Sequence, residues 1–516
     1  MAKQLTFWHF LLALTAFWAV SLADFFLKVN LSQLNLMVAG GFFILYNPTG
    51  LFGNKRLEFG LCTLLILVAT FFIPAKTWGP WLFCLMVGLS IFFSKESPSF
   101  LVIGRLIIWT AAFFNLAFIT NTRINDVQYD FSSCYNYIEY ILENNFMFWH
   151  ENPLLTRPSY SAYHPILHFF TAAGVIRLGE LLNVSKEFAS EAVQVLFVGY
   201  MMWYGLLCAK ILSLFKLNRF SFGALLAFVV CFPVYHAIAG FFNNDCLLLP
   251  LQAGVIYYSL LYYYNGGKKN LIYVWLFATF AAATKLSGIL VLPFVGAVLV
   301  LRLARYQNKE TFIEEFVFGL LLLLGVMIWP LYQYFVLHID FSYVPPQAHL
   351  SLQGHNLWER YSPFGAFVYE RMFYNDYGVN LWETMTKTAL FGQWDFTVRG
   401  GAIMPVITSM VFIYKVILGL IFIAFLWLLF KAKSKSMCGL SVVLLFSLLG
   451  GMILFGLRHP YMCNQDFRYV AVLPLIWMMI LAQFTEVSYL RLQRIVAFVL
   501  TLFAVLSCFV WQYVSV

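Results

Sequence analysis

The sequence predicts an all-helical, polytopic membrane protein with about fifteen transmembrane spans. Of its 516 residues, 62% are apolar and 11% are charged, against about 45–50% and about 25% in ordinary soluble proteins. Apolar runs approaching the roughly 17–25 residues that cross a bilayer recur along the whole chain. So much apolar surface cannot be buried in a soluble core, which excludes soluble enzymes, disordered chains and coiled coils.

Sixteen apolar runs are candidate spans. The first run follows Lys3 and is similar to a signal peptide, but many further runs follow, so we expect an uncleaved first span. The sixteen runs centre on residues 7–23, 33–48, 58–74, 78–94, 101–120, 163–182, 191–212, 220–240, 246–264, 271–284, 286–303, 316–338, 402–430, 438–457, 469–485 and 493–513.

Lysine and arginine in the short connections orient these runs. The net charge is +9, from 32 basic and 23 acidic residues, and basic residues collect in cytoplasmic loops. No basic block interleaved with aromatic residues indicates nucleic-acid binding. The basic connections fall on one side only if 163–182 is an interfacial or re-entrant helix that does not cross. The long loops 121–162 and 339–400 then lie outside. The basic segments are 2–4, 54–56, 216–219, 268–269, 302–309, 431–435 and 491–494.

The first long outer loop is predicted to contain a helix that differs from the apolar transmembrane runs. From Phe131 its apolar and polar residues alternate with helical periodicity, which predicts an amphipathic helix lying on the outer membrane surface. Asp130 stands at its start, either as a functional carboxylate or as an N-cap that accepts a backbone N–H.

Four further polar positions lie at the outer ends of apolar segments. His164 precedes a helix start, Asp245 follows Asn244 between two runs, and Lys285 has no nearby partner in sequence. Arg468 lies at the outer end of the next apolar run, whereas basic residues usually lie on the inner side. Three of them have a structural alternative: an N-cap for the aspartate, a satisfied carbonyl for the histidine and snorkelling for the lysine. With Asp130 they make two outer carboxylates and two cations, or three if His164 is charged. Together the five predict an outer site with a base on one side and anion-binding groups on the other.

Cysteine and histidine spacing gives no metal motif, and no cofactor is expected. His349 and His355 are six residues apart, a poor zinc spacing. Two outer carboxylates could hold a divalent cation, but Lys285 and Arg468 already supply positive charge. Most of the nine cysteines lie in apolar runs; a disulfide between Cys134 and Cys463 is an alternative that we do not favour.

Five short motifs occur in order along residues 101–485. They are Asp130 followed by Tyr137-Ile138 and Tyr140-Ile141; Tyr163-His164-Pro165-Ile166-Leu167; Asn244-Asp245; Thr284-Lys285 with Pro293; and Asp466-Phe467-Arg468-Tyr469. This order resembles the GT-C superfamily of integral-membrane glycosyltransferases, in its family-39-like branch, which is related to protein O-mannosyltransferases and lipid A aminoarabinose transferases. Two departures stand out: Ile166 replaces the second proline of the histidine-proline-proline motif, and Asp126 competes with Asp130 for the acidic position.

The resemblance implies a catalytic transmembrane module over 97–485, an extra four-span segment over 1–96 and a last span over 486–516. It also implies transfer of a sugar from a polyprenyl-phosphate donor to an acceptor outside a bacterial inner membrane, with inversion. Asp130 would be the general base and Asp245 a supporting catalytic carboxylate. The substrate-binding residues would be His164, Lys285, Arg468, Tyr469, Tyr137 and Asn244.

Two other functions remain open from the sequence. A polysaccharide polymerase with a lipid-diphosphate substrate predicts essential outer arginines and a dispensable Asp130. A transporter or flippase predicts internal repeats and a site near the midplane, and no repeat is evident. Aromatic residues of the 339–400 loop would cover the acceptor or form an interfacial belt; they are Tyr343, His349, His355, Trp358, Trp382 and Trp394.

Overall fold

The computed structural model describes residues 100–122, 131–146, 164–340, 343–344, 348–367, 378–392, 394, 401–431 and 434–515. Within these ranges the chain is helical, and its one β-type contact is an isolated bridge between Ser351 and Tyr461. The predicted segment 1–96 lies outside the described residues.

The helices follow the predicted apolar runs. All twelve runs that fall in the described ranges coincide with helices. The helices are α1 Phe100–Asn121, α2 Phe131–Glu143, α3 Leu167–Leu181, α4 Lys186–Leu212, α5 Arg219–Val230, α6 Pro233–Gly240, α7 Asp245–Asn265, α8 Lys268–Thr284, α9 Leu292–Tyr306, α10 Lys309–Phe335, α11 Leu357–Tyr361, α12 Leu381–Phe391, α13 Met404–Lys431, α14 Lys435–Arg458, α15 Leu473–Val487 and α16 Leu490–Ser515. Short 3₁₀ turns precede α9 at Leu286–Val291 and α15 at Met462–Gln465 and Phe467–Val470.

In the described ranges, seven helices are long and apolar enough to cross a membrane, or nine if each of two bent pairs is one span. The chain is therefore an all-helical protein with several membrane-spanning helices. The count of about fifteen spans stays a prediction.

The two bent pairs meet each other. The break between α5 and α6 precedes Pro233, and the break before α15 precedes Pro474. Proline disfavours the helical conformation in the residue before it, and Phe232 before Pro233 is extended. Pro474 lies in the first turn of α15, where proline is tolerated because the N–H that it lacks has no partner within the helix. The bends are 47° and 49°. Tyr235 of α6 donates a 2.6 Å hydrogen bond to the carbonyl of Ala471, which fixes the Phe467–Val470 turn against the first bend.

The α2 helix confirms the predicted amphipathic pattern but not its location on lipid. Ser132 and Asn136 are exposed on one side, while Ile138 and Ile141 are fully buried on the other. The buried side packs on protein: the ring of Tyr137 lies 4.9 Å from that of Phe169 in α3. The predicted location of α2 on the outer membrane surface stays a prediction, and α3 contacts its apolar face.

The segment 163–182 forms a helix too short for a full span. α3 has 15 residues, about 22 Å at 1.5 Å per residue, against a hydrocarbon core of about 30 Å. Its last leucines, Leu181 and Leu182, are exposed. This length agrees with an interfacial or re-entrant helix, and which of the two it is stays a prediction.

The basic connections gather at one end of the bundle. Asn218, before α5, donates to Gln493 of α16, and Arg302 of α9 donates to the carbonyl of Tyr262 in α7. Lys268, Lys309, Lys435 and Arg491 begin helices at this same end because successive helices alternate in direction. We call it the basic end. The start of α7, the end of α8 and the turns before α15 lie at the opposite end.

Candidate functional site

An ion pair buried at the end opposite the basic connections joins two of the predicted site residues. The Nζ atom of Lys285 lies 2.6 Å from Oδ1 of Asp245. Both side chains are buried, the aspartate completely. Two charges removed from water persist only when they are paired. The partner that the sequence did not reveal for Lys285 is therefore a carboxylate 40 residues earlier.

The backbone presents Lys285 at a break between two helices. α8 ends at Thr284, Lys285 is extended with φ −158° and ψ 141°, and a 3₁₀ turn begins at Leu286. This turn packs closely on α8 because Gly288 has no side chain: a Cβ there would lie 2.5 Å from the carbonyl carbon and oxygen of Ala281. The backbone N–H of Lys285 still donates to the carbonyl of Ala281 at 3.0 Å, as the C-cap of α8. The extended backbone after it lets the lysine side chain reach the start of α7.

The start of α7 is held against the end of α8 by Asn244. Its Nδ2 atom donates a 2.9 Å hydrogen bond to the carbonyl of Thr284. Asn244 occupies the N-cap position without a side-chain cap hydrogen bond, and Asp245 is the first helical residue. The N-cap alternative for Asp245 is thus wrong, because its carboxylate pairs with Lys285. Oδ1 of Asn244 and Oδ2 of Asp245 are buried and accept no hydrogen bond from the described residues.

A second buried ion pair lies in the turn before α15. Nε of Arg468 lies 3.0 Å from Oδ2 of Asp466, whose Oδ1 accepts the Arg468 backbone N–H at 3.0 Å. Asp466 is completely buried. The backbone N–H of Phe467 donates to Oγ1 of Thr388 in α12 at 2.8 Å. The short aspartate-to-arginine spacing therefore fixes the guanidinium locally, and α12 holds the turn in place.

Tyr469 connects the two ion pairs. The Nζ atom of Lys285 lies 4.8 Å from the centre of the Tyr469 ring, a distance at which a cation is attracted to the aromatic face. Arg468 precedes Tyr469 in the sequence, and the guanidinium of Arg468 lies 5.9 Å from the ring centre of Phe241. We call Asp245, Lys285, Asp466, Arg468 and Tyr469 the ion-pair cluster. With both pairs formed, its formal charges cancel.

His164 lies close enough to both cations of the cluster to be affected by them. Burial lowers the pKa of His164 to about 3, and Lys285 and Arg468 lower it further in the same direction. Its imidazole is therefore neutral at neutral pH. The two fixed cations and the loss of solvation disfavour protonation of His164, and its role in the site stays a prediction. A neutral imidazole can still donate one hydrogen bond to an anion.

Tyr137 has a different environment from the ion-pair cluster. It is completely buried against Phe169, and burial raises the pKa of its hydroxyl far above the usual value. The hydroxyl has no hydrogen-bond partner among the described residues. The role assigned to Tyr137 stays a prediction. The candidate base Asp130 and its competitor Asp126 lie outside the described residues, so their roles also stay predictions.

The second outer loop contains the polar helix α12, which the apolar pattern of the sequence did not predict. Glu383, Thr388 and Lys387 are buried in it, and it packs on α6 and on the turn that carries Arg468. Because the loop has no long apolar run, hydropathy gave no signal. A usable signal was Asn380, which caps the helix by accepting from the backbone N–H groups of Trp382 and Glu383.

The tryptophans of the same loop differ in their exposure to solvent. Trp394 is buried and lies 5.5 Å from the ring of Trp511, and Trp382 donates to the carbonyl of Tyr361. Trp358 is exposed. The first two therefore stabilise the loop, and of these three only Trp358 is available to an acceptor or to lipid.

Metal and disulfide chemistry find no support in the described ranges. No group of three or more His, Cys, Asp or Glu side chains there could hold a metal ion. Cys134 and Cys463 are not joined by a disulfide, so that alternative is wrong. Comparisons with family models, curated proteins and solved structures found no match to this chain.

Proposed function

We propose that the chain is a membrane glycosyltransferase of the GT-C type that moves a sugar from a polyprenyl-phosphate donor to an extracytoplasmic acceptor. The observation that supports this most is the ion-pair cluster, which concentrates two buried cations at the end of the bundle opposite the basic connections. By the positive-inside tendency that end faces outward, in our proposal from a bacterial inner membrane. The acceptor would be a glycolipid, a glycan or a protein.

The leaving group of this reaction is a lipid phosphate, on which negative charge develops. Lys285 and Arg468 are positioned to stabilise that charge at a site largely shielded from water. Each already has a carboxylate partner, at 2.6 Å and 3.0 Å. The ammonium has three N–H donors and the guanidinium five, so both can bind a phosphate oxygen without losing that partner. Neutral His164 adds a hydrogen bond, and Tyr469 and Asn244 border the same space.

The acceptor needs a base, since a hydroxyl is a poor nucleophile. A positioned carboxylate that takes its proton contributes a factor of roughly 10²–10⁴ in rate. We assign this role to Asp130 and a supporting one to Asp245, whose Oδ2 accepts no hydrogen bond from the described residues. Attack from the face opposite the phosphate inverts the anomeric centre. The proposal involves no metal or cofactor; the N–H donors of Lys285 and Arg468 are assigned the leaving phosphate.

The location of the cluster weighs against a transporter, whose substrate site lies near the bilayer midplane. It does not separate a monophosphate-sugar transferase from a polymerase that uses a lipid diphosphate. That distinction depends on the base and on the donor.

The test follows label from radiolabelled polyprenyl-phosphate hexoses to a cell-envelope extract, with the full chain in nanodiscs. The variants are Asp130→Asn and, as a matched control in the same loop, Asp126→Asn. We expect transfer by the wild type and by Asp126→Asn, and loss of transfer by Asp130→Asn with donor binding retained. Equal transfer by Asp130→Asn would remove Asp130 as the base. No transfer from any monophosphate donor would contradict the donor class and favour the polymerase.

A further inference from the structure

A shallow, open depression on the surface of α16 at the basic end, which we call the groove, combines positive charge with apolar surface. It is lined by Leu490, Arg491, Arg494, Ile495 and Phe498, all from the first turns of α16. Both arginines are exposed, and neither has an ion pair with another described residue. This groove lies far along the bundle from the ion-pair cluster, at the other end.

The lining residues form one stripe along the helix. Residues three and four apart are neighbours on a helix surface, so Arg491 lies above Ile495, and Arg494 lies above Phe498. Four residues correspond to about 6 Å along the axis. Ile495 and Phe498 are 50% and 63% exposed, although both belong to a helix apolar enough to span a membrane. The charged groups thus lie at the helix end, and the apolar groups lie about 6 Å deeper.

Charged groups at the helix end with apolar groups below them are complementary to a phospholipid. The head-group phosphate lies at the membrane interface and the acyl chains lie below it. Arginine binds phosphate through two parallel N–H···O hydrogen bonds, and basic pockets on the cytoplasmic side of membrane helices suit anionic head groups. We propose that the groove binds one anionic glycerophospholipid, with its phosphate between Arg491 and Arg494 and an acyl chain along Ile495 and Phe498.

The test measures lipid binding to the detergent-solubilised full chain by native mass spectrometry. Phosphatidylglycerol and phosphatidylcholine with identical acyl chains are titrated separately. Each basic residue near an anionic lipid contributes enough affinity that Arg491→Gln/Arg494→Gln should raise the apparent Kd for phosphatidylglycerol about 30-fold. The control, Arg219→Gln/Arg305→Gln, removes two charges from the same end outside the groove and should leave this Kd within about twofold.

A second variant separates charge from geometry. Arg491→Lys/Arg494→Lys keeps both charges but loses bidentate binding, and we expect a Kd between those of the wild type and the glutamine variant. Equal affinity for the two lipids in the wild type would overturn the proposal. So would an equal loss of affinity in the control variant, because general electrostatic attraction to the basic end would then explain the binding.

Discussion

The Nζ atom of Lys285 lies 2.6 Å from Oδ1 of Asp245, and this pair joins the end of α8 to the start of α7. The aspartate is completely buried and the lysine nearly so. Neither residue has another charged group adjacent in sequence. The contact therefore serves two purposes in our proposal: it stabilises the packing of the two helices and keeps a cation at the substrate site.

Breaking this pair should destabilise the protein strongly. In Lys285→Met the carboxylate of Asp245 stays buried without its counter-charge, which costs about 3–5 kcal/mol of unfolding free energy. The double variant Asp245→Asn/Lys285→Met removes both charges and should recover most of this loss. Thermal unfolding followed by tryptophan fluorescence in detergent measures both.

The control for this experiment is the exposed pair of Lys186 and Glu139, at 2.8 Å. Lys186→Met should cost at most about 1 kcal/mol, since exposed ion pairs contribute little. The stable double variant at the buried pair should still fail to bind a lipid phosphate. If it bound as tightly as the wild type, the pair would be structural only.

Donor binding should not depend on the charge of His164. Because the pKa of His164 is lowered to about 3, its imidazole stays neutral from about pH 5 to about pH 8. A phosphodiester donor keeps its single negative charge over the same range. An imidazolium with the usual pKa of about 6.5 would strengthen binding as the pH falls through that value. We expect instead a flat affinity profile, measured by equilibrium binding of labelled donor.

The matched variant is His164→Gln, which cannot become charged in this range. Its pH profile should have the same shape as that of the wild type. Binding that strengthens about tenfold toward acid in the wild type, but not in His164→Gln, would show that His164 is a cation in the complex.

The close approach at Gly288 should be sensitive to a single methyl group. In Gly288→Ala the new Cβ would lie 2.5 Å from the carbonyl of Ala281, so the 3₁₀ turn must move away from α8 and shift Lys285. Overpacking of this kind costs about 1–3 kcal/mol. We expect a lower unfolding temperature together with weaker donor binding.

Gly296, in α9, provides the comparison. A Cβ at this position would meet nothing within 4 Å, and alanine favours a helix interior over glycine by about 0.5–1 kcal/mol. Gly296→Ala should therefore be neutral or slightly stabilising and should leave donor binding unchanged. Equal behaviour of the two variants would contradict the contact at Gly288.

The hydrogen bond from Phe467 to Thr388 should position Arg468. Thr388→Val leaves the buried N–H of Phe467 without its acceptor, at a cost of about 1–3 kcal/mol. Thr388→Ser keeps the hydroxyl and should restore both stability and transfer. In Thr388→Val we expect weaker donor binding, seen as a raised KM for the donor. A loss of stability with an unchanged KM would limit Thr388 to a structural role.

The class of fold follows from the amino-acid sequence alone. Long apolar runs form helices wherever they occur, because a backbone in lipid must satisfy its own hydrogen bonds. All twelve runs in the described ranges coincide with helices. The sequence also identified Asp245, Lys285 and Arg468 as costly charges at helix ends, since such positions are few in an apolar chain. Both inferences depend on local hydropathy and charge, which can be read from residues that are adjacent in the sequence.

The pairing of these groups and the charge state of His164 depend on contacts between elements that are distant in the chain. Lys285 meets Asp245 across 40 residues, and Thr388 meets the N–H of Phe467 across 79. The pKa of His164 depends on two cations from other elements, and the apolar side of α2 is covered by α3. Electrostatic and packing energies depend on distance in space, which the order of residues along the chain does not specify.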